Sequence, residues 1–229
     1  MKLSIIIPCY NESLTICKIV EKINQQTSID KEIILIDDFS TDGTRSIIEK
    51  ELSSKVDQIF FNEKNIGKGY CIKKGIKEAK GDIILIQDAD LEYDPSDYKK
   101  LIKPIEQKNA DVVYGSRFTG SSEKRVLYFW HTLGNKFLTL LSNIFTNLNL
   151  TDMEVGYKVF KSEVIKNIHL EENRFGFEPE ITAKISKKKL RIYEVGISYF
   201  GRKYTEGKKI TWKDGFSAIK SILKYNLLK

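Results

Sequence analysis

Three short strings gather the side chains of this sequence that could do chemistry: Pro8-Cys9-Tyr10-Asn11-Glu12, Asp37-Asp38-Phe39-Ser40-Thr41-Asp42-Gly43 and Gln87-Asp88-Ala89-Asp90-Leu91-Glu92. The third is the sharpest. Two carboxylates two residues apart in an extended segment project from nearly the same place. They can bind a hard divalent cation and leave positions open for diphosphate oxygens. An Asp-x-Asp triplet arises by chance about once in a chain of this length and aspartate content, so its position must give it weight. Asn11 and Asp42 also suit helix capping. Capping does not explain why Asp37 and Asp38 concentrate charge at one point. Gly67 and Gly69 around Lys68 would let backbone approach a phosphate, or would simply turn the chain.

Each acidic string follows a short β-branched run. Strands are expected at Leu3–Ile7, Glu32–Ile36, Gln58–Phe61, Asp82–Ile86 and Asp111–Tyr114, with helices near Ser13–Gln26, Asp42–Leu52, Gly67–Lys80 and Pro95–Lys108. Continuous apolar runs such as Ile83-Ile84-Leu85-Ile86 fit strands covered on both faces, the mark of a parallel sheet. The alternation predicts an α/β fold: a doubly wound, mostly parallel sheet with flanking helices. Ligands of such sheets sit at the carboxyl ends of the strands, where the three strings fall. Further on, apolar residues from Val126 to Leu148 make a helical stripe, with Thr132, Asn135, Thr139, Ser142 and Asn143 largely on the other side. The stripe suits either packing on the sheet or lying in a membrane interface. Glu180–Lys188 reads as a helix, Leu190–Phe200 as a strand, and Lys213–Leu228 as a basic amphipathic helix. One domain over residues 1–229 is the economical organisation, with a nucleotide-binding half to residue 120 and an acceptor-binding half beyond it.

Composition narrows the class. With 41% hydrophobic and 30% charged residues the chain suits a packed globule, not a disordered one. No signal core or membrane-length apolar run is present, and Cys9, Cys17 and Cys71 show neither zinc spacing nor an even count. A cytoplasmic protein with reduced thiols is expected. The net charge of +7 is concentrated after Lys184, where basic residues far outnumber acidic ones. Such a segment suits phosphate-rich ligands, an anionic membrane surface or nucleic acid, or is a solvated tail.

The strings IIIPCYNE, ILIDDFSTDGT, NIGKGYCIKKGIKEAKGDIILIQDADLEYDP and YGSRF, in that order and spacing, resemble family 2 glycosyltransferases of the GT-A fold. Among these they are similar to the dolichol- or polyprenyl-phosphate mannose and glucose synthases. The match is close over residues 1–120 and looser through DMEVGYKVF, FGFEPEITAKI and YEVGISYFGRKYTEGKKI. The resemblance implies a nucleotide-sugar donor, with Pro8, Tyr10, Glu12 and Asp38 on base and ribose and Asn11, Lys68 and Ala89 on the same surface. Asp88 and Asp90 would bind the diphosphate and Mg²⁺ or Mn²⁺. Glu92 would be a further metal ligand, at a position where many relatives carry Gln. Arg117 would face an acceptor phosphate. Arg202, Lys208 and Lys209 would belong to a basic segment closing over the donor phosphates.

The implied reaction is a single inverting displacement that moves a hexose from a GDP-mannose or UDP-glucose type donor to a polyprenyl or dolichyl phosphate. A lipid phosphate is already anionic and needs orientation by Arg117 more than deprotonation. A sugar hydroxyl acceptor, the rival within the same fold, would need a general base, for which Asp152, Glu154, Glu178 and Glu180 are available. Of these, Asp152 joins Asp90 and Arg117 in the expected catalytic set, and Glu178 and Glu180 are expected at the acceptor. Without a membrane span the protein would reach lipid by peripheral contact with the cytoplasmic face of the membrane. A sugar nucleotidyltransferase is disfavoured because Pro8–Glu12 contains no glycine. A nucleic-acid role for the basic tail lacks any recognition motif.

Overall fold

The computed structural model describes residues 1–120, 125–126, 128–202 and 212–228. Seven strands form one sheet: β1 (Leu3–Cys9), β2 (Lys31–Asp37), β3 (Gln58–Phe61), β4 (Ile83–Ile86), β5 (Val112–Ser116), β6 (Lys158–Lys161) and β7 (Ile192–Gly196). Their order is β3-β2-β1-β4-β6-β5-β7. The central strands are the continuous apolar runs, and Ile5, Ile6, Ile7, Ile84 and Leu85 have no solvent exposure. Burial on both faces is what helix-covered parallel strands require. Helices α1 (Ile16–Asn24), α2 (Thr44–Ile47, continuing with π-type pairing to Leu52), α3 (Lys68–Glu78) and α4 (Tyr98–Glu106) make the crossovers.

Register decides where the acidic strings emerge. Cys9 lies opposite Asp37 and Ile6 opposite Ile86, so β1, β2 and β4 all release their loops at one edge of the sheet. The expected strands and helices of this half are present within a few residues. Asn11 does not cap α1. It takes a left-handed conformation, its Oδ1 accepts from the Thr41 amide, and its own amide donates to Ser40.

The second half departs more from expectation. Strand β6 was not legible in the pattern. It runs antiparallel to both β4 and β5. That reversal brings the segment before it, residues 152–157, to the edge where Asp88 emerges. After α6 (Ser162–Lys166), α7 spans Phe177–Ser186, starting earlier than expected, and Pro179 still falls in the first turn, where no amide hydrogen is needed. The strand expected over Leu190–Phe200 is shorter: β7 ends at Gly196, and beyond it Tyr199 makes a single bridge to Tyr93.

Helix α5 (Phe129–Thr146) settles the position of the apolar stripe. Its polar side is the buried one, with Thr139, Ser142 and Thr146 under 10% exposed. Thr139 accepts from the Met153 amide and Thr146 donates to the Ser142 carbonyl, so those hydroxyls are satisfied inside. Phe129, Trp130, Leu133, Phe137, Leu140 and Ile144 face outward, with Trp130 76% and Ile144 67% exposed. Helix α8 (Trp212–Leu223, continued by π-type pairing to Leu228) packs beside α5 and leaves Phe216, Leu227 and Leu228 exposed as well. Among the described residues no helix is long and apolar enough to cross a membrane.

Candidate active site

The loop after β4 is held from behind by a tyrosine cluster. Buried Gln87 accepts hydrogen bonds from the hydroxyls of Tyr98 (2.7 Å) and Tyr157 (2.6 Å), and its own amide donates to the Asp88 carbonyl (2.9 Å). Tyr93 stacks on Tyr157 at 4.8 Å between centroids, and its hydroxyl accepts from the Gly156 amide. Gly156 is a position of close approach: a Cβ there would run into the Asp88 carboxylate. Asp88, Asp90 and Glu92 are thereby held together on a rigid floor, with Ala89 buried between the aspartates.

Crowding has an electrostatic consequence. Burial, with the charges of Asp88 and Glu92, pushes the Asp90 carboxyl up to about 7, and Arg202 offsets part of this. Two cations neutralise the loop. Lys68 lies 2.8 Å from Asp88 and 3.2 Å from Glu178. The Arg202 guanidinium reaches Asp90 at 3.1 Å and both oxygens of Glu12 at 3.0 and 3.1 Å. Glu92 is committed to the same segment: it accepts from the Arg202 amide (2.7 Å) and from the Tyr199 hydroxyl (3.1 Å). Glu92 therefore ties the β4 loop to the chain that follows β7.

Asp38 sits at the end of β2, 3% exposed, and its carboxylate is saturated by the chain itself. It accepts from Asn62 (2.8 Å), Asn65 (2.9 Å) and the amides of Ile66 (3.0 Å) and Gly67 (2.7 Å). Four donors fill the acceptor sites of a carboxylate. Asp38 thus builds the 62–67 loop, where the sequence suggested a direct acceptor for a base. Gly67 needs to be glycine, since its φ is +124° and a Cβ would strike the Asn173 backbone. Pro8, Cys9, Tyr10, Glu12, Asn65 and Cys71 line the adjoining part of the cavity.

On the other side, Arg117 follows β5 and is gripped by Asp152, with Nε and Nη2 each 2.7 Å from a carboxylate oxygen. Its guanidinium also lies over the Tyr199 ring. Of the four acidic residues available as a general base, two do not line the cavity. Asp152 is spent on Arg117, and Glu180 accepts from the amides of Glu171 and Glu172 and pairs with Lys184 at 2.6 Å. Glu154 and Glu178 do line it. Behind them, buried Lys158 donates to the carbonyls of Met153 and Val155. The whole cavity encloses about 1420 Å³, from Pro8 and Asp38 past the β4 loop to Trp130, Phe137 and Phe216 on the apolar face. Lys208 and Lys209 lie outside the described residues.

The family model for glycosyl transferase family 2 matches residues 4–169, which contain the nucleotide-side loops, the β4 carboxylates and Arg117. The chain belongs to this family. It is a glycosyltransferase of the GT-A type. The chain is 30% identical to a dolichol-phosphate mannosyltransferase of Pyrococcus furiosus, over the whole of this chain and 64% of that protein. It is 26% identical to the low-salt glycan biosynthesis hexosyltransferase Agl6 of Haloferax volcanii, over 96% of this chain and 53% of the other. The chain therefore spans between half and two thirds of these two relatives. A glucosyl-3-phosphoglycerate synthase from Mycobacterium tuberculosis, solved with Mn²⁺, UDP and glucosyl-3-phosphoglycerate, superposes with a TM-score of 0.76 at 17% identity, covering 98% of this chain and 80% of that one. Another structure of that synthase holds Mg²⁺ with UDP.

The donor set of this family 2 transferase suits a hard divalent cation. Asp88 and Asp90 place two carboxylates at the cavity wall, and such ions are commonly held by one or two carboxylates plus substrate phosphates. Among the described residues no three His, Cys, Asp or Glu side chains form a ready-made cage. Lys68 and Arg202 provide the counter-charge instead. Sequence reasoning missed three contributors: Tyr199, Lys158 and the anchoring use of Glu92. Tyr199 and Glu92 act through contacts between segments far apart in the chain, which no local pattern signals, while Lys158 turns back on the carbonyls of its own loop.

Proposed function

We propose that this glycosyltransferase moves a hexose from a nucleoside diphosphate sugar to the phosphate of a polyprenyl or dolichyl lipid. The observation that carries the reading is continuity: one cavity joins the Asp88–Asp90 loop to Arg117 and opens beside the exposed apolar face of α5. The similarity to the Pyrococcus furiosus mannosyltransferase supports it. In this reading Pro8, Tyr10 and Glu12 contact base and ribose, while Asp38 fixes the loop that closes over them. Asp88 and Asp90 would hold Mg²⁺ or Mn²⁺ against the diphosphate. When bound, that ion neutralises charge developing on the departing nucleoside diphosphate.

The protein's own groups do the rest. Arg117, locked by Asp152, presents a fixed guanidinium to an acceptor phosphate, which needs no base to attack. Lys68 and Arg202, already beside the carboxylates, are placed to share their hydrogens with phosphate oxygens. Attack from the face opposite the leaving group inverts the anomeric centre. The apolar faces of α5 and α8 would rest in the interface of a cytoplasmic membrane leaflet.

The test is an incubation of purified protein with Mn²⁺ or Mg²⁺, UDP- and GDP-sugars and a short polyprenyl phosphate, with Asp90→Ala as control. Sugar-lipid formation that is lost in the variant is the expected result. Transfer only to glycan hydroxyls would replace the acceptor. No donor turnover with any acceptor would overturn the reading.

A further inference from the structure

Gly67 and Gly69 flank Lys68, and the structure shows what both make room for. A Cβ on Gly69 would lie 2.6 Å from the Glu172 carbonyl oxygen, and one on Gly67 would meet the Asn173 carbonyl and the Arg174 side chain. The backbone of residues 172–174, in the loop that leads into α7, is pressed against the start of α3. This contact serves a need of the helix. The first amides of a helix have no partner within it, and a glycine at the N-cap brings no side chain to supply one. The Asn173 carbonyl supplies it, accepting from the Tyr70 amide at 3.0 Å. Lys73 adds a second tie, donating to the Glu171 carbonyl and to Asn173 Oδ1.

The loop is held in turn from the far end of the chain. Glu172 Oε1 accepts from the Tyr225 hydroxyl (2.8 Å) and the Lys224 ammonium (3.0 Å), both in the continuation of α8. Burial would raise the Glu172 carboxyl, but these two donors outweigh it and hold the carboxyl below its ordinary value. Tyr225 is 1% exposed, and a Cβ on Gly176 would strike both Ser221 of α8 and the Glu172 side chain. Helix and loop are thus in close contact. Gly67, Lys68 and Arg174 line the cavity, whereas Glu172, Lys224 and Tyr225 stand behind it.

We propose that Glu172 is a positioning residue for the donor site. The C-terminal helix holds Glu172, and Glu172 holds the 172–174 backbone against Gly67 and Gly69. That backbone sets the start of α3, from which Lys68 reaches Asp88 at 2.8 Å. Gly67 also closes the loop that Asp38 builds, so a loosened start of α3 would be felt at both ends of a bound nucleotide. The inference rests on the nucleotide-sugar reading of this cavity and adds to it a dependence on α8.

The experiment compares the wild type with Y225F, which removes the hydroxyl and keeps the ring, and with E172A. Affinity for UDP and GDP is measured by calorimetric titration with Mn²⁺ present, alongside thermal melting and amide hydrogen exchange. Both variants are expected to bind nucleoside diphosphate about threefold to tenfold more weakly, the scale of one hydrogen bond. Amides of residues 67–71 should exchange faster, while those of β1 exchange as in the wild type. Y225F, the milder change, decides the matter where E172A does not fold. A merely structural latch predicts a lower melting temperature with unchanged affinity, and that result overturns the proposal. Weaker binding with unchanged exchange over residues 67–71 overturns it too, since the effect would then bypass α3. A wild type that binds neither UDP nor GDP would instead remove the nucleotide-sugar reading on which the inference rests.

Discussion

The Arg202 guanidinium bridges Glu12, at the end of β1, to Asp90, after β4, holding both carboxylates within 3.1 Å. It contacts the donor-side loop and the carboxylate loop together. Replacing Arg202 with Ala leaves Glu12 and Asp90 facing each other without it. Loss of one partner from a largely desolvated charge pair costs about 2–5 kcal/mol. Transfer activity is expected to fall at least about a hundredfold. R202K keeps the charge but cannot fork between two carboxylates, and should recover only part of the loss. Steady-state kinetics on both variants checks this, and equal activity of R202K and the wild type would contradict the bridging role.

Asp38 makes a prediction about construction. Asn in its place offers one acceptor oxygen where four donors converge, and turns an amide hydrogen toward the others. D38N should lower unfolding stability by about 2–4 kcal/mol, several times the net value of an ordinary hydrogen bond. Nucleotide affinity should fall as the 62–67 loop loosens. Denaturant titration beside calorimetry separates the two effects. Weakened nucleotide binding with unchanged stability would instead mean that Asp38 acts on the base directly.

Much of the first half was legible in the sequence, for a physical reason. The runs Ser4–Ile7 and Ile83–Ile86 are strands buried on both faces, and such strands announce themselves by continuous apolarity. Their ends then fix the site, because a parallel sheet puts every β-to-α loop on one edge. Strand β6 was not legible, since antiparallel insertion between β4 and β5 depends on pairing partners over forty residues away. Arg117 was found only through family resemblance, and its partner Asp152 was assigned a different task. Polarity on α5 left its orientation open. Its buried side carries Thr139 and Ser142, and amphipathicity alone does not say which side faces in.

The apolar face of α5 yields a prediction that separates folding from lipid contact. Trp130, Phe137 and Ile144 are mostly exposed, so exchanging each for Glu should change stability by no more than about 0.5 kcal/mol. Binding to vesicles containing anionic lipid should fall, and so should transfer to a long-chain polyprenyl phosphate. Transfer to a short, water-soluble analogue should be spared. Co-sedimentation and paired assays test this. Equal losses with both acceptors would assign the face to the acceptor site rather than the bilayer.

Gly156 predicts a defect confined to the carboxylate loop. A methyl group there meets the Asp88 carboxylate, whose backbone is pinned by Gln87 and whose side chain is paired with Lys68. G156A should therefore displace Asp88 and lower kcat by about tenfold to a hundredfold, the usual penalty for a misplaced functional group. Apparent Mn²⁺ affinity should weaken in parallel. Circular dichroism and metal titration would check it, and a variant that keeps its metal affinity would refute the close-approach argument.

Acid stability should carry the signature of Asp42. Burial would raise its carboxyl, but the hydroxyl and amide of Thr44 and the amide of Ser13 outweigh that and hold it at about 2, below an ordinary value of 3.8. The folded state therefore binds the proton more weakly than the unfolded chain. The sign follows: the contribution is full above the unfolded value near 4 and disappears as pH falls through about 2. In D42N the side chain no longer titrates. The difference in melting temperature between wild type and D42N should be constant from pH 7 to pH 5 and shrink steadily between pH 4 and pH 2. A difference that stays constant down to pH 2 would show that Asp42 clasps Ser13 and Thr44 through its shape and not through its charge.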